Sequence, residues 1–146
     1  DLKPRVRHGE IQPFELHRLR ELMQQALDDE TLFKEWFGTM ISEAKHDLDV
    51  SPMEPDYSAE EIADLLTQGE PAIKVPGLRS VWFSGESRTC YIDGEAWTLP
   101  SEDAAAISLL CDKDIITQAD MVELADQAGF LQLLTRLVNR GYWFFG

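Results

Sequence analysis

The most distinctive candidate for chemistry lies near the start of this chain of 146 residues. His8-Gly9-Glu10 has the His-x-acid spacing of a non-haem iron site, in which two His and one carboxylate hold one face of the metal. The second His would have to come from a later barrel strand, but His17 and His46 both lie on predicted helices. We therefore predict no metal ligand in this chain.

Paired carboxylates are a second candidate, because two neighbouring acids can serve as general acid and base. Asp47 and Asp49, with Glu43 and Glu54 nearby, have this arrangement. The chain contains 27 acidic residues, however, so such pairs occur without any catalytic meaning. Gly-rich phosphate loops and the G-x-S-x-G motif are absent from the sequence. We predict no catalytic and no cofactor-binding residue.

The two cysteines give no metal or redox motif. Cys90 and Cys111 are far apart in sequence, and no C-x-x-C spacing occurs. We interpret both as reduced thiols in or near the core. The chain opens with Asp1, without a signal-peptide pattern, which suggests a shortened chain. No apolar run approaches the roughly 20 residues that a bilayer requires, so we predict a cytoplasmic protein with no membrane partner.

Charge limits the possible partners. The chain carries 13 Lys and Arg against 27 Asp and Glu, a net charge of −14. The first twenty residues hold five of the basic and three of the acidic residues, so the remainder holds eight against 24. A surface of this sign repels polyanions and attracts basic proteins. Nucleic acid is therefore excluded as an expected partner.

The elements at the start of the chain are an extended arm, 1–12, and two helices. Apolar residues at helical spacing predict a first helix over 13–28 and a second over about 30–47, with Asp28 and Asp29 as candidate caps. The apolar band is too broad for two helices that bury only their facing sides, so it needs another domain or a copy of itself. We predict a dimer interface that includes Leu19, Leu22, Leu32, Trp36, Phe37 and Met40.

A linker, 51–57, separates this region from a second one that begins with the capping box Ser58 to Glu61 and a short helix ending near Gly69. Asp93-Gly94 predicts a tight hairpin turn. Strands are predicted at 72–75, 79–84, 88–93 and 96–99. Three helices follow, the first capped by Ser101, the second over 117–126 and the third ending before Gly141. The fold class is mainly α with a small antiparallel β meander, hence α+β.

A helix, a small sheet and a helix cluster suggest a winged-helix-like domain over 58–146. Its candidate recognition helix, 117–126, contains Asp120, Glu123 and Asp126 but no Lys or Arg, which is the wrong charge for DNA. The aromatic residues are predicted to fill the core and not to stack on bases, because no basic groove accompanies them. They are Trp82, Tyr91, Trp97 and the run Tyr142-Trp143-Phe144-Phe145.

Several segments together resemble the C-terminal part of the bacterial ribosomal oxygenases, a JmjC-type cupin family. The resemblance runs through the whole chain. The segments that carry it are Phe33-Lys34-Glu35-Trp36-Phe37-Gly38, His46-Asp47-Leu48-Asp49-Val50, Glu54-Pro55-Asp56-Tyr57, Gln68-Gly69-Glu70 and Leu137-Val138-Asn139-Arg140-Gly141-Tyr142-Trp143-Phe144-Phe145, with Pro4-Arg5 and Leu19-Arg20-Glu21 in addition.

The resemblance implies a parent of three parts: an iron(II) and 2-oxoglutarate oxygenase barrel, a helical dimerisation region and a winged-helix-like domain. This sequence matches only the last two, as 13–50 and 58–146. The family hydroxylates an arginine of a basic large-subunit ribosomal protein, which makes such a protein the implied substrate of the parent. None of the family's iron ligands has a counterpart here, so this chain is expected to be a non-catalytic fragment that forms a homodimer.

Two alternatives remain open. The chain could be an independent acidic adaptor that binds a basic protein without any enzymatic activity. An enzyme acting alone is the third possibility. A barrel encoded upstream, with His-x-Asp and a later His, would favour the oxygenase interpretation, whereas an immediate start codon would favour the adaptor.

Overall fold

A computed structural model of the chain describes residues 9–44, 48, 50–52 and 54–146. The chain divides into two compact units, Asp1–Trp36 and Phe37–Gly146. Most of the predicted arm, including His8, lies outside the described residues. The first unit is helical where it is described, and the second combines helices with two small sheets, so the predicted α+β class is confirmed.

The first unit begins with helix α1, Pro13–Asp28, which confirms the predicted helix over 13–28. Proline suits the first helical position because its missing amide would have no partner there. The Asp29 carboxylate accepts hydrogen bonds from the amides of Thr31 and Leu32 at 3.0 and 3.2 Å. Asp29 therefore caps helix α2, Glu30–Ser42, as its residue type indicated.

Helix α2 ends earlier than the predicted residue 47 because its last residues bind a distant turn. The Ser42 hydroxyl accepts a hydrogen bond from the Gly94 amide at 2.9 Å. The Ala44 amide donates to Asp93 at 3.4 Å instead of to a helical carbonyl. Residues 45–47, over which the longer helix was predicted, lie outside the described residues.

The second unit contains the end of α2 and, among the described residues, three further α-helices, one short 3₁₀ helix and six short strands. Helix α3 starts at the predicted capping box: Ser58 and Glu61 each accept a hydrogen bond from the other's amide. In chain order the elements are α3 (Ala59–Thr67), β1 (Ala72–Lys74), β2 (Ser80–Val81), β3 (Thr89–Ile92), β4 (Glu95–Thr98), α4 (Ala104–Asp112), β5 (Ile115–Ile116), the 3₁₀ helix (Gln118–Met121), α5 (Gln127–Asn139) and β6 (Trp143–Phe145).

The strands form two antiparallel sheets, where the sequence indicated one meander. Strands β2, β3 and β4 make the predicted meander, in that order. Strand β1 belongs to the other sheet, where it lies between β5 and β6. Ala72 pairs with Ile116 on one side and Phe145 on the other. The sequence pattern does not predict this sheet, because β5 has only two residues and β6 lies within an aromatic run.

The predicted hairpin at Asp93-Gly94 is confirmed. Ile92 pairs with Glu95, so the loop contains two residues, and both have positive φ, 47° for Asp93 and 79° for Gly94. Asp and Gly tolerate this backbone conformation better than other residues. The Gly94 amide of this turn donates a hydrogen bond to the Ser42 hydroxyl, so the hairpin contacts the end of α2.

Two helix predictions in this unit are wrong at their boundaries. Helix α4 is capped by Asp103, not Ser101, because the Asp103 carboxylate accepts the Ala106 amide. The predicted helix over 117–126 is only a 3₁₀ turn, Gln118–Met121. The second oxygen of the buried Asp103 accepts the amides of Ala125 and Asp126 at 3.0 and 3.4 Å, which directs this backbone away from a helix.

The core of the second unit lies between α3, α4, α5 and the two sheets. Most of the aromatic residues contribute to it, as predicted: Trp143 is fully buried, and the Trp97 and Tyr142 rings meet edge to face at 6.5 Å. Trp82 is half-buried and donates to Asp112 at 3.3 Å. Phe144 is the exception, since it is exposed.

Gly141 ends α5 at a close approach, which generates a test of the fold. Its φ is +87°, and a Cβ there would lie 2.7 Å from the Ser51 carbonyl oxygen. Gly69 has a φ of +92° but open space around it, so Gly69→Ala serves as a matched control. We expect Gly69→Ala to lower the free energy of unfolding by about 1 kcal/mol and Gly141→Ala by about 2 kcal/mol or more, measured by urea denaturation. Equal losses would contradict the close approach.

Candidate functional site

The clearest candidate site is an apolar groove within the first unit. None of the sixteen residues of α1 is buried. Apolar side chains of α1 and of the first turns of α2 line an open groove of about 400 Å³. We call this groove the apolar helical surface; its residues are Leu19, Leu22, Met23, Ala26, Leu27, Phe33 and Trp36.

Most residues of the apolar helical surface are both large and exposed. Leu19, Leu22 and Met23 are each more than half exposed, and Trp36 is 55% exposed. The Phe33 and Trp36 rings lie 6.1 Å apart, one turn of α2 from each other. Large exposed apolar patches on soluble proteins mark sites of association more often than scattered single residues do.

The six residues predicted for a dimer interface lie in three kinds of environment. Leu19, Leu22 and Trp36 line the groove. Leu32 and Met40 are exposed but do not line it. Phe37 belongs to the second unit, where it is half-buried and its ring lies 6.4 Å from that of Phe83.

Four groove residues were absent from the predicted interface: Met23, Ala26, Leu27 and Phe33. The helical spacing of the apolar residues already contained this signal. Polar side chains of the same helices pair along the chain, as His17 with Glu21 at 3.0 Å and Lys34 with Glu30 at 3.6 Å. Exposed pairs of this kind contribute little to stability, so the apolar residues are the dominant feature of this unit.

The residues weighed for catalysis do not come together in the described part of the chain. His8, Asp47 and Asp49 lie outside it, while Glu43 and Glu54 are exposed. Among the described residues, no group of three or more His, Cys, Asp or Glu is arranged to hold a metal ion. Within the same residues, no helix is long and apolar enough to cross a membrane.

A polar cluster in the second unit ties the hairpin turn to the end of α5. Arg140 donates two hydrogen bonds to the Glu95 carboxylate, at 2.9 and 3.3 Å. The Tyr142 hydroxyl donates to Asp93 at 3.0 Å. The Arg140 guanidinium also lies over the Trp97 ring, 5.6 Å from its centre. These contacts connect β4 and the turn to the segment between α5 and β6.

The same cluster raises the pKa of two of its side chains, Arg140 and Tyr142. The hydrogen bonds to Glu95 raise the pKa of Arg140, so the guanidinium stays protonated. Burial raises the pKa of the Tyr142 phenol, and the hydrogen bond that it donates to Asp93 acts in the same direction. Both groups therefore keep their ordinary protonation state, which suits a structural cluster and not proton transfer near neutral pH.

The acidic segment that was predicted as a recognition helix has mainly structural contacts. Asp120 accepts hydrogen bonds from the Thr117 amide and hydroxyl, and Asp126 accepts the Gly129 amide at the start of α5. Glu123 is exposed beside a groove of about 510 Å³ between α4 and the 3₁₀ helix. This segment presents carboxylates and no cation, as the sequence indicated.

A small antiparallel hairpin sheet packed with α3, α4 and α5 around one core defines the winged-helix class of domain. The family model described as ROXA-like winged helix matches residues 21–144. The chain therefore belongs to the ROXA-like winged-helix family. The predicted resemblance to ribosomal oxygenases is confirmed by the relatives that this chain matches.

One such relative is the ribosomal protein uL16 3-hydroxylase of Escherichia coli (strain K12), to which the chain is 35% identical over 145 residues. The match covers 99% of this chain and 38% of the relative, so the chain spans about two fifths of that protein's length. Solved structures that the chain matches indicate the same family. The X-ray structure of E. coli ycfD is 35% identical, with a TM-score of 0.74 over 100% of this chain and 38% of that one.

A second solved structure shows E. coli YcfD, a ribosomal oxygenase, in complex with cobalt and 2-oxoglutarate. It is 36% identical with a TM-score of 0.71, and covers 99% of this chain and 39% of that chain. At this level of identity the likeness extends beyond the fold to the family.

Proposed function

We propose that this chain is the non-catalytic C-terminal region of a longer 2-oxoglutarate- and iron(II)-dependent oxygenase, which hydroxylates an arginine of a large-subunit ribosomal protein. The observation that carries the proposal is the match of nearly the whole chain to 38% of a ribosomal protein hydroxylase. In this proposal, residues 13–50 form the dimerisation region, 51–57 the linker and 58–146 the winged-helix domain. The protein is then cytoplasmic, where ribosomes are made.

We assign no iron ligand to the described residues of this chain. Within the described ranges, no cluster of metal-ligating side chains occurs, and the chemistry of the family needs two His and a carboxylate on one metal. The proposal therefore assigns iron and 2-oxoglutarate to the remainder of the longer protein. It gives this chain the tasks of association and of positioning a basic substrate.

An assay of hydroxylation tests whether the catalytic activity lies outside this chain. We expect the longer protein, supplied with iron(II) and 2-oxoglutarate, to add one oxygen to an arginine of the basic ribosomal protein, detected by mass spectrometry. The isolated chain of 146 residues should leave the same peptide unmodified and consume no 2-oxoglutarate. Turnover by the isolated chain would contradict the non-catalytic assignment, and an inactive longer protein would contradict the oxygenase.

The apolar helical surface supports association between two copies of the chain. The same residues on two copies can face each other across a two-fold axis, which is the commonest symmetry of soluble dimers. Trp36 is the expected centre, because aromatic residues dominate the binding energy of interfaces and this one is 55% exposed in the single chain. Covering it with a copy removes apolar area from water without needing another protein.

We expect light scattering to report a dimer for the unmodified chain, and Trp36→Asp to raise the dissociation constant about 30-fold or more, because it introduces a charge into the apolar contact. Val122→Asp is the matched control, since Val122 is 69% exposed but lies in the second unit. The dissociation constant of the Val122→Asp dimer should equal that of the unmodified chain. A monomer at high concentration for the unmodified chain would refute the proposed dimer.

Charge supports a basic protein as the partner. The net charge of −14 attracts a basic ribosomal protein at long range, and such steering raises association rates. Duplex nucleic acid is disfavoured by the same charge, since each phosphate contact needs a cation. Carboxylates such as Glu123, exposed beside the groove between α4 and the 3₁₀ helix, are available for such contacts.

Binding at two salt concentrations tests this partner. We expect the basic ribosomal protein to bind at 0.1 M salt and to be released as the screening length falls from about 10 Å to about 3 Å at 1 M. Duplex DNA and RNA should not bind at either concentration. Salt-sensitive nucleic-acid binding would overturn the charge argument, and failure to bind the basic protein would limit this region to dimerisation.

The acidic adaptor remains the second candidate function, because the charge alone would suffice for it. It differs from the oxygenase in one measurable respect. If the adaptor hypothesis is correct, the basic protein binds this chain, but no protein that contains this chain hydroxylates it.

A further inference from the structure

The groove between α4 and the 3₁₀ helix has small residues on both of its walls. Its volume is about 510 Å³, which lies within the range of sites that bind ligands. Ala105 of α4 and Ala119 of the 3₁₀ helix both line the groove and are exposed. Because a methyl group is short, these two residues leave space between the two elements for a side chain of another molecule.

One part of this groove is apolar. Leu109 is half-buried against the core, and Leu124 is almost fully buried. Val122 also lines the groove, but it is 69% exposed. An apolar side chain that enters the groove removes part of this surface from water, which favours binding.

The polar part of the groove is acidic. The described residues that line it include Asp120 and Glu123, and none of them is Lys, Arg or His. The amide and hydroxyl of Thr117 both donate to the same oxygen of Asp120. Glu123 is exposed, and no hydrogen bond or ion pair joins it to another residue of the described ranges. The Glu123 carboxylate is therefore available to a cation from outside the chain.

The charge around the groove selects the kind of molecule that can occupy it. From Ser101 to Thr135, the part of the sequence that contains both walls, the chain has seven acidic residues and one basic residue, Lys113. A second copy of the chain would bring the same negative charge to the groove, and nucleic acid would bring phosphates, so both are repelled. A basic segment of another protein has the complementary charge.

We propose that this groove is a docking site for a basic protein segment, which places one apolar side chain against Val122 and Lys or Arg side chains at Glu123 and Asp120. The identity of the protein, the basic ribosomal substrate, rests on the function proposed above, whereas the chemistry of the segment follows from the groove. The cations supply an attraction that salt screens. The apolar side chain supplies a contact that salt does not screen, and it distinguishes this site from the rest of the acidic surface.

Titration of the chain with a synthetic peptide, followed by NMR of the backbone amides, tests the site directly. The peptide has two lysines on each side of one leucine, and a control peptide has glycine in place of the leucine. We expect the leucine peptide to shift the amide signals of Ala105, Ala119 and Glu123 most, and to bind about threefold or more tightly than the glycine peptide. Equal binding of the two peptides, or shifts spread evenly over the acidic surface, would overturn the proposal. Shifts of the same signals by duplex DNA, or by raising the protein concentration alone, would assign the groove to another occupant and overturn it as well.

Two pairs of variants separate the groove from the net charge, with binding of the basic ribosomal protein as the readout. Glu123→Lys and Glu70→Lys change the net charge equally, but Glu70 is exposed after the end of α3 and does not line the groove. Ala105→Trp occupies the groove, whereas Ala128→Trp adds the same side chain at an exposed position, the second residue of α5. We expect each groove variant to raise the dissociation constant about 10-fold and each control to change it by less than about twofold. Equal effects within either pair would contradict the docking site.

The outcomes distinguish this proposal from the proposed function. If the longer protein hydroxylates the ribosomal protein, but Glu123→Lys weakens binding no more than Glu70→Lys does, the docking site is wrong and the oxygenase stands. If the leucine peptide binds in the groove but no protein that contains this chain hydroxylates the ribosomal protein, the docking site stands and the oxygenase is wrong.

Discussion

The buried face of α5 is the constraint on which the second unit depends. Seven of its thirteen residues are buried, and Phe130, Leu134 and Leu137 have no exposed surface. Apolar burial on this scale is the largest favourable contribution to folding that one short helix can make. The helix starts at the Asp126 cap and ends at Gly141, so a side chain and a backbone conformation define its two ends.

Other parts of the unit attach to α5 or to the residues that follow it. Asn139 accepts the Tyr57 amide at 2.8 Å and donates to the Tyr57 carbonyl at 3.0 Å, which binds the chain just before α3. Arg136 and Arg140 both lie over the Trp97 ring and thereby cover the hairpin from outside. Strand β6, which begins four residues after the end of α5, supplies one edge of the sheet that contains β1.

The two units differ in how much of their apolar surface is buried. The second buries most of its large apolar side chains, whereas α1 buries none of its sixteen residues. A helical pair that leaves Leu19, Leu22 and Trp36 exposed gains little from folding by itself, because its apolar area stays in water. This difference is the physical reason for proposing association through the first unit and substrate positioning through the second. It also agrees with a chain that spans only part of its relatives.

Polar groups inside the second unit are few and have specific roles. Asp103 is 7% exposed and accepts three backbone amides, so it satisfies the start of α4 and the segment before α5 together. Lys74 is equally enclosed and binds the end of α4. Both ends of α4 are thus held by buried charged side chains.

Local features of the sequence determined α1, the Ser58 capping box and the Asp93-Gly94 turn, because each depends on residues within four positions of one another. Composition determined the acidic charge, and helical spacing contained the signal for the apolar helical surface, although the predicted interface lacks four of its residues, Met23, Ala26, Leu27 and Phe33. Only the tertiary structure decided the β5-β1-β6 sheet, the early end of α2 and the irregular segment before Asp126. It alone brought Lys74 to the backbone carbonyl of Cys111. In each case the deciding hydrogen bond or contact joins residues far apart in the chain, such as Ser42 with Gly94 or Asp103 with Ala125, and such pairs leave no periodic signal in the sequence.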